Sequence, residues 1–448
     1  MPYSEKVQRA LEEIGAQVGD KLKLKRFGVE IAGYLMPRED VDFGDSDILV
    51  LKLDNGYNIG IRLDESTTVE RLQESVSLGV FPSLKEVKQD VELPPISIIS
   101  TGGTISSRVD YMTGAVAWHI SPQELLFGVP ELLNFVQLRN VMMPFRLASE
   151  DMSPLEWTFL AKKAVKLINE GDSGVVILHG TDTMHYTAAA LSFMIRGLNV
   201  PIIITGAQRS SDRASRDSDL NIIGASIAAS KMNAALVAIA MHGTSSDEYV
   251  TIIRGTRARK MHTSRRDAFR SVNEPPVGRV WFDGRVELLS NLIKPRSKDQ
   301  PWEDALFDEK VAILRAYPGS DPELLDLLVD RGYKGVIIEG TGLGHVPTLT
   351  LDDGKSWLPK IERALQEDVV VCITSQCING RTDPYVYRNG RILLKAGALF
   401  LQDMLTEVAY VKLGWLLGHD FDTQSVKAMM LHNFAGELGF RETYDTFP

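Results

Sequence analysis

The sequence predicts an α/β protein: a body of two α/β domains with mainly parallel sheets, preceded by a small all-β barrel domain. Three observations carry that prediction. The first ninety residues have the texture of short alternating strands, the chain from residue 96 alternates strand with helix, and several apolar runs of that second part end in small or polar residues. At 448 residues the chain is long for one domain, and two or three are expected.

In chain order, a short helix candidate in "MPYSEKVQRALEEIG" precedes "DKLKLKRF", "VEIAGYLMP" and "DILVLKLDNGYNIGIRL". Asp54-Asn55-Gly56 stands between alternating runs and signals a hairpin. This first domain, residues 1–92, closes in a linker around "VELPP"; such modules dock or bind more often than they catalyse, and one that only adds stability is the plainer alternative. The runs "ISIIS", "GVVILHG", "PIIITGA", "ALVAIAM", "KVAILRAY", "GVIIEG" and "VVVCITS" then read as strands separated by helices. One helix opens with Ser153 as N-cap, Pro154 at the first position and Glu156 closing a capping box, and Gly171 stops it. Another is "DPELLDLLVDRG". The alternation implies a sheet covered by helices on both faces. The segment 291–304, "NLIKPRSKDQPWED", reads as a linker dividing an α/β domain at 93–298 from a second at 299–448.

The net charge of −10 argues against a nucleic-acid binder as a whole, although "TRARKMHTSRRDAFR" (256–270) is locally basic and is either a patch or a solvated loop. Cys372 and Cys377 lack metal-site spacing and read as buried free thiols. The start is polar and charged, with no signal-peptide core, and no apolar stretch reaches the roughly 18 residues of a membrane span, so a cytoplasmic protein with no membrane partner is expected.

Ligands in open α/β sheets bind beyond the carboxyl ends of the strands. There the chain places Thr101-Gly102-Gly103-Thr104, then "HGTDT" (179–183), then "TGAQRSS". Gly102 and Gly103 permit a sharp turn and leave room for a substrate, and Thr104 would present a hydroxyl. A threonine attacks only when something takes its proton, and TGGT alone equally fits a phosphate-cradling or merely tight turn. Thr181 and Asp182 add a hydroxyl and a carboxylate, although a Thr-Asp pair after a strand is often only a helix cap. No histidine is placed by sequence order for a Ser-His-Asp arrangement. A lysine buried beside Asp182 would serve, and periodicity does not select which.

"TGGTI", "HGTDTM" and "TGAQRSS" resemble the motifs of the bacterial-type L-asparaginase and glutaminase-asparaginase family, from about residue 95 to the C-terminus. The resemblance implies an asparaginase-like body in which a threonine attacks a side-chain amide, ammonia leaves and water clears the acyl-enzyme. It implies Thr104 as the first catalytic threonine and Tyr111 in "YMTGAV" as the tyrosine of the loop that closes over it. Thr181, Asp182 and Lys260 match the second threonine, its aspartate and the family lysine. Ser149 and Glu150 in "ASEDM" match the pair that grips the α-carboxylate and α-ammonium groups, with Asp182 sharing the ammonium. Backbone N–H groups around Gly180 and Thr181 suit an oxyanion, and losing one such donor typically costs about 2.7–4 kcal/mol. Which threonine attacks first stays open on the residues alone; Thr104 is preferred.

The added front domain and the segment "LLKAG…DMLTEVAYVKL" resemble the D-subunit family of the archaeal-type glutamyl-tRNA(Gln) amidotransferases. That resemblance implies a glutaminase acting on glutamine or asparagine, with no cofactor of its own. A partner, the amidotransferase E subunit, would use ATP and magnesium to activate and amidate Glu-tRNA(Gln), making most of the tRNA contact. It further implies a homodimer within a heterotetramer. A stand-alone amidohydrolase and a non-catalytic scaffold are the competing readings. Leu343 in "EGTGLGH" departs from the asparagine usual in plain asparaginases, so preference for asparagine does not transfer.

Overall fold

The structure, a computed structural model, describes residues 3–36, 45–54, 57–73, 89–103, 105, 108–109, 116–117, 129–209, 215–442 and 446. The front domain packs helix α1 (Glu5–Glu13) on five antiparallel strands: β1 (Lys21–Arg26), β2 (Val29–Leu35), β3 (Ile48–Lys52), β4 (Asn58–Arg62) and β5 (Thr67–Gln73). Their order is β4-β3-β2-β1-β5, and among the described residues no β4–β5 pair closes the sheet into a ring. The alternation of Leu22 and Leu24, or Leu49 and Leu51, sends one face inward. Val7 and Leu11 of α1 fill that face. The predicted hairpin forms, with Lys52 opposite Asn58, although Asn55 and Gly56 lie outside the described residues.

The central sheet has eight strands: β6 (Pro95–Ser100), β7 (Gln137–Met142), β8 (Val175–Leu178), β9 (Ile202–Thr205), β10 (Val237–His242), β11 (Tyr249–Arg254), and, beyond a separate hairpin of β12 (Ala258–Lys260) and β13 (Phe269–Ser271), β14 (Gly278–Trp281) and β15 (Val286–Leu288). Its order is β15-β14-β11-β10-β9-β8-β6-β7. The run from β10 to β7 is parallel, and the three other strands add antiparallel. Each strand's alternation sorts its residues between two cores. Val175 and Ile177 face helices α2 (Pro154–Asn169) and α3 (Met184–Met194), while Val176 and Leu178 face α4 (Ser218–Lys231). The capping box of α2 is formed as expected: Ser153 accepts from the first turn, and the Glu156 carboxylate accepts from the Ser153 N–H at 2.7 Å.

A second parallel sheet, β16 (Val311–Arg315), β17 (Gly335–Gly340), β18 (Val370–Ser375) and β19 (Leu399–Phe400), carries α5 (Glu323–Asp330), α6 (Leu358–Gln366) and α7 (Arg388–Ala396). Its other face is covered by α8 (Thr406–Leu417) and α9 (Thr423–Met430). Helix α8 is apolar nearly all round because it is shared: Val408, Ala409, Leu413 and Leu416 join one core with Ala188, Leu191 and Val175 of the central domain. The two α/β domains are thus packed through α3 and α8.

Cys372 is buried as expected, whereas Cys377 is exposed, because it stands past the end of β18 rather than within it. No helix among the described residues is long and apolar enough to cross a membrane.

Candidate active site

The parallel register brings the strand ends level. Leu178 of β8 pairs with Ser100 of β6 on one side and Thr205 of β9 on the other, so residues 101, 179 and 206 emerge side by side. β6 sits between β7, the next strand of this sheet in sequence, and β8, so the chain reverses its direction of winding there, and such a switch point opens a crevice.

Glycines let the emerging loops touch backbone to backbone. Gly103 has φ +77°, and a Cβ there would lie 2.6 Å from Gly180 Cα. Gly180 is pressed in turn on Ser149, where a Cβ would sit 2.8 Å from the serine Cβ. Short hydrogen bonds set this stack: Thr101 N–H donates to Leu178 O at 2.9 Å, Leu147 N–H to Thr101 O at 2.9 Å, and Thr183 Oγ1 to Ser149 O at 2.6 Å. Among the described residues the N–H groups of Gly180 and Thr181 have no acceptor.

Lys260 ends β12 and reaches into this cluster. Its Nζ donates to Thr181 Oγ1 at 2.8 Å and to Asp182 Oδ1 at 2.7 Å. Thr181 is buried, the Lys260 side chain is 10% exposed and the Asp182 side chain 67% exposed, so the carboxylate faces the open side. Ser149 is buried with its Oγ 3.4 Å from Glu150 Oε2, and Glu150 is exposed. Of the residues singled out from the sequence, the fold therefore brings Thr181, Asp182 and Lys260 together, with Ser149 against Gly180. Thr104 and Tyr111 lie outside the described residues, although Gly103 and Ile105 on either side of Thr104 are both buried.

The neighbouring histidines are committed elsewhere. Trp157 Nε1–H donates to Thr187 Oγ1 at 3.0 Å and Thr187 lies 2.9 Å from His179 Nε2, so that nitrogen accepts while Nδ1–H donates to Gly180 O at 2.6 Å. Burial pushes His179 down to about 4. Burial, aided by the charges of Arg259 and Lys260, pushes His185 down to about 3. Both are neutral near pH 7, and neither is hydrogen-bonded to Thr181. This leaves Lys260 as the basic side chain at that hydroxyl.

The basic segment 256–270 resolves into pairs rather than a free patch. Arg257 is buried on Asp403 at 3.0 Å, Arg265 and Arg270 both hold Asp267 at 2.8 Å, and Arg266 holds Asp247 at 2.6 Å. The two guanidiniums keep the Asp267 carboxyl well below the usual carboxylate range. Sequence reasoning missed one feature behind the site: Arg259 pairs with Glu407 of α8, whose carboxylate is also 3.7 Å from His185 Nε2. Neither spacing nor composition marks that pair, because it joins residues far apart in sequence.

Comparison with known proteins bears on the family and the fold. Residues 95–294 match the family described as Asparaginase, N-terminal, residues 310–430 the Glutaminase/Asparaginase C-terminal domain, and residues 16–72 the GatD N-terminal domain. The D subunit of glutamyl-tRNA(Gln) amidotransferase from Pyrococcus furiosus is 46% identical over 97% of this chain and 97% of its own length. That of Thermococcus kodakarensis is 47% identical over 99% of each. Among solved structures, the thermostable L-asparaginase from Thermococcus kodakarensis aligns with a TM-score of 0.68 at 30% identity, covering 77% of this chain and 99% of that one.

Proposed function

The chain belongs to the D-subunit family of the glutamyl-tRNA(Gln) amidotransferases, and on that premise we propose that it is the glutaminase of a tRNA-dependent amidotransferase. The observation that carries the reading is Lys260 Nζ within hydrogen-bond distance of both Thr181 Oγ1 and Asp182 Oδ1. A threonine hydroxyl attacks the side-chain amide carbon of glutamine, and asparagine is the second candidate substrate. Thr104 is the proposed nucleophile and Thr181 the partner hydroxyl. The attacking oxygen gives up its proton as its bond to carbon forms, the C–N bond breaks, and the nitrogen leaves as ammonia with that proton. Water then attacks the acyl ester on the threonine, regenerates the hydroxyl and releases glutamate.

Each side chain has a part in that sequence. Lys260 moves the proton along Thr181, and Asp182 holds the lysine while turning its free face to the substrate ammonium. The open N–H groups of Gly180 and Thr181 suit the oxyanion. Ser149 and Glu150 take the α-carboxylate and α-ammonium ends, and Tyr111 closes the loop over the nucleophile. Ammonia passes to the partner E subunit, which activates Glu-tRNA(Gln) with ATP and magnesium and amidates it. The chain works as a homodimer within a heterotetramer, in the cytoplasm.

The test is ammonia release from glutamine and asparagine by the purified chain, alone and then with the E subunit and Glu-tRNA(Gln). Release that rises when both are added supports a coupled glutaminase; high release indifferent to them means a free amidohydrolase. Thr104→Ala is expected to abolish release without moving the unfolding temperature, and retained turnover would remove Thr104 as nucleophile.

A further inference from the structure

Lys260 stands on weak scaffolding for a residue whose position matters so much. β12 is three residues long and pairs with β13 in a two-stranded ribbon outside the central sheet. Such a ribbon is marginal on its own. Something beyond the ladder has to hold the lysine at 2.7–2.8 Å from its partners.

Side chains alternate along a strand, so Arg259 leaves β12 on the face opposite Lys260. There it meets Glu407, in the first turn of α8 and hence part of the C-terminal domain. The Glu407 side chain is 2% exposed. The same Oε1 lies 3.7 Å from Nε2 of His185, a buried residue in the first turn of α3, three positions after Asp182. One buried carboxylate therefore touches the strand that carries Lys260 and the helix that follows Thr181 and Asp182. A cavity of about 190 Å³ opens beside it, lined by Arg259, Glu339, Gln376, Thr406 and Glu407 among others. The apolar core reaches the ribbon through Ala258 and Phe269, on the Lys260 face.

We propose that Glu407 is a positioning residue for the amide-hydrolysing site: through Arg259 and His185 it fixes the spacing between Lys260 and the Thr181–Asp182 pair. Glu407 touches no reacting atom. The inference rests on the glutaminase reading, and it adds that the C-terminal domain sets the geometry of a proton transfer carried out in the domain before it.

The test is steady-state ammonia release from glutamine by the full chain with the E subunit and Glu-tRNA(Gln), for Glu407→Gln, Glu407→Ala and Lys260→Met. Glu407→Gln keeps the shape and removes the charge. Misplacement of a catalytic group by about 1 Å costs up to about 100-fold, so kcat is expected to fall about 10- to 100-fold with KM nearly unchanged. Because the cavity adjoins the vacated position, sodium acetate should restore part of the kcat of Glu407→Ala by placing a carboxylate on Arg259. Added at equal ionic strength, chloride should not. Wild-type kcat in Glu407→Gln overturns the proposal. So does a fall in kcat matched by a fall in unfolding temperature with no recovery in acetate, which is the mark of a purely structural pair. Lys260→Met separates the two levels: if it keeps full activity, the glutaminase site itself is wrong. If it is dead while Glu407→Gln is normal, only the positioning role is lost.

Discussion

Thr181 and Asp182 are held from the front by backbone lying on backbone, whereas Lys260 is held from behind by buried charge. On the strand-end side, Gly103, Gly180 and Ser149 form a stack with no room for another carbon. On the other side, Arg259–Glu407 and Arg257–Asp403 span the two α/β domains, and Lys412–Glu437 at 2.7 Å ties α8 to the segment after α9. Close backbone packing fixes position within one domain at little electrostatic cost. Between domains the shared ladder among the described residues is only the two-residue pairing of Ile195–Arg196 with Trp302–Glu303, and paired charges supply direction that apolar contact does not. The price is vulnerability, since a buried charge stripped of its partner is worse than none.

That contrast can be broken at its strongest point first. Asp403→Ala leaves the Arg257 guanidinium, 1% exposed, without its carboxylate and also removes the acceptor of the Gly439 N–H. Breaking a buried pair in this way typically costs about 3–5 kcal/mol. Denaturant unfolding measures it, and a loss below about 1 kcal/mol would mean that the charges are incidental.

Acid should sharpen the contrast on the strand-end side. His179 is held down to about 4 by burial, below its ordinary value of 6.5. In the folded chain it stays neutral while the unfolded chain takes up a proton, so its contribution is whole above pH 6.5 and is lost as the pH falls towards 4. The loss is roughly 3 kcal/mol over that window. Unfolding free energies of the wild type and His179→Gln, measured from pH 7 to 4, should converge by about that amount. Parallel curves would show that the imidazole takes its proton without penalty.

The smallest effect is expected within the backbone stack itself. Gly180→Ala puts a methyl 2.8 Å from Ser149 Cβ and 2.9 Å from its Oγ. Overpacking of this kind costs roughly 1–3 kcal/mol, part of which the serine relieves by shifting. The shift should raise KM for glutamine more than it lowers kcat; an unchanged KM would dissociate Ser149 from substrate binding.

What can be read from the sequence divides along the same line. Thr181, Asp182 and the glycine turns follow apolar runs directly, so local pattern places them at strand ends, and register does the rest. The capping box of α2 and the Lys52–Asn58 hairpin pairing are local too, and both form as expected. Lys260 is reached only through family resemblance, since nothing in "TRARKMH" distinguishes it from its basic neighbours. Glu407 and Asp403 carry no local signal at all. Their arginine partners stand 146 or more positions away, fixed only when α8 packs on α3. Cys377 departs from its expected burial for a related reason: β18 ends two residues before it, and a strand-like run does not announce where burial stops.

The anchoring of Arg257 also has a consequence for biosynthesis. Three residues ahead of Lys260, it takes its partners from Asp403 and Gly436, 146 and 179 positions further along the chain. A ribosome therefore delivers the threonine and glycine turns, and the lysine itself, long before it delivers what anchors them. An unfinished chain, or one released early from a damaged message, carries every motif of the hydrolase and lacks its alignment. If the chain hydrolyses free glutamine as proposed, incomplete copies are kept idle by the order in which the polypeptide is made.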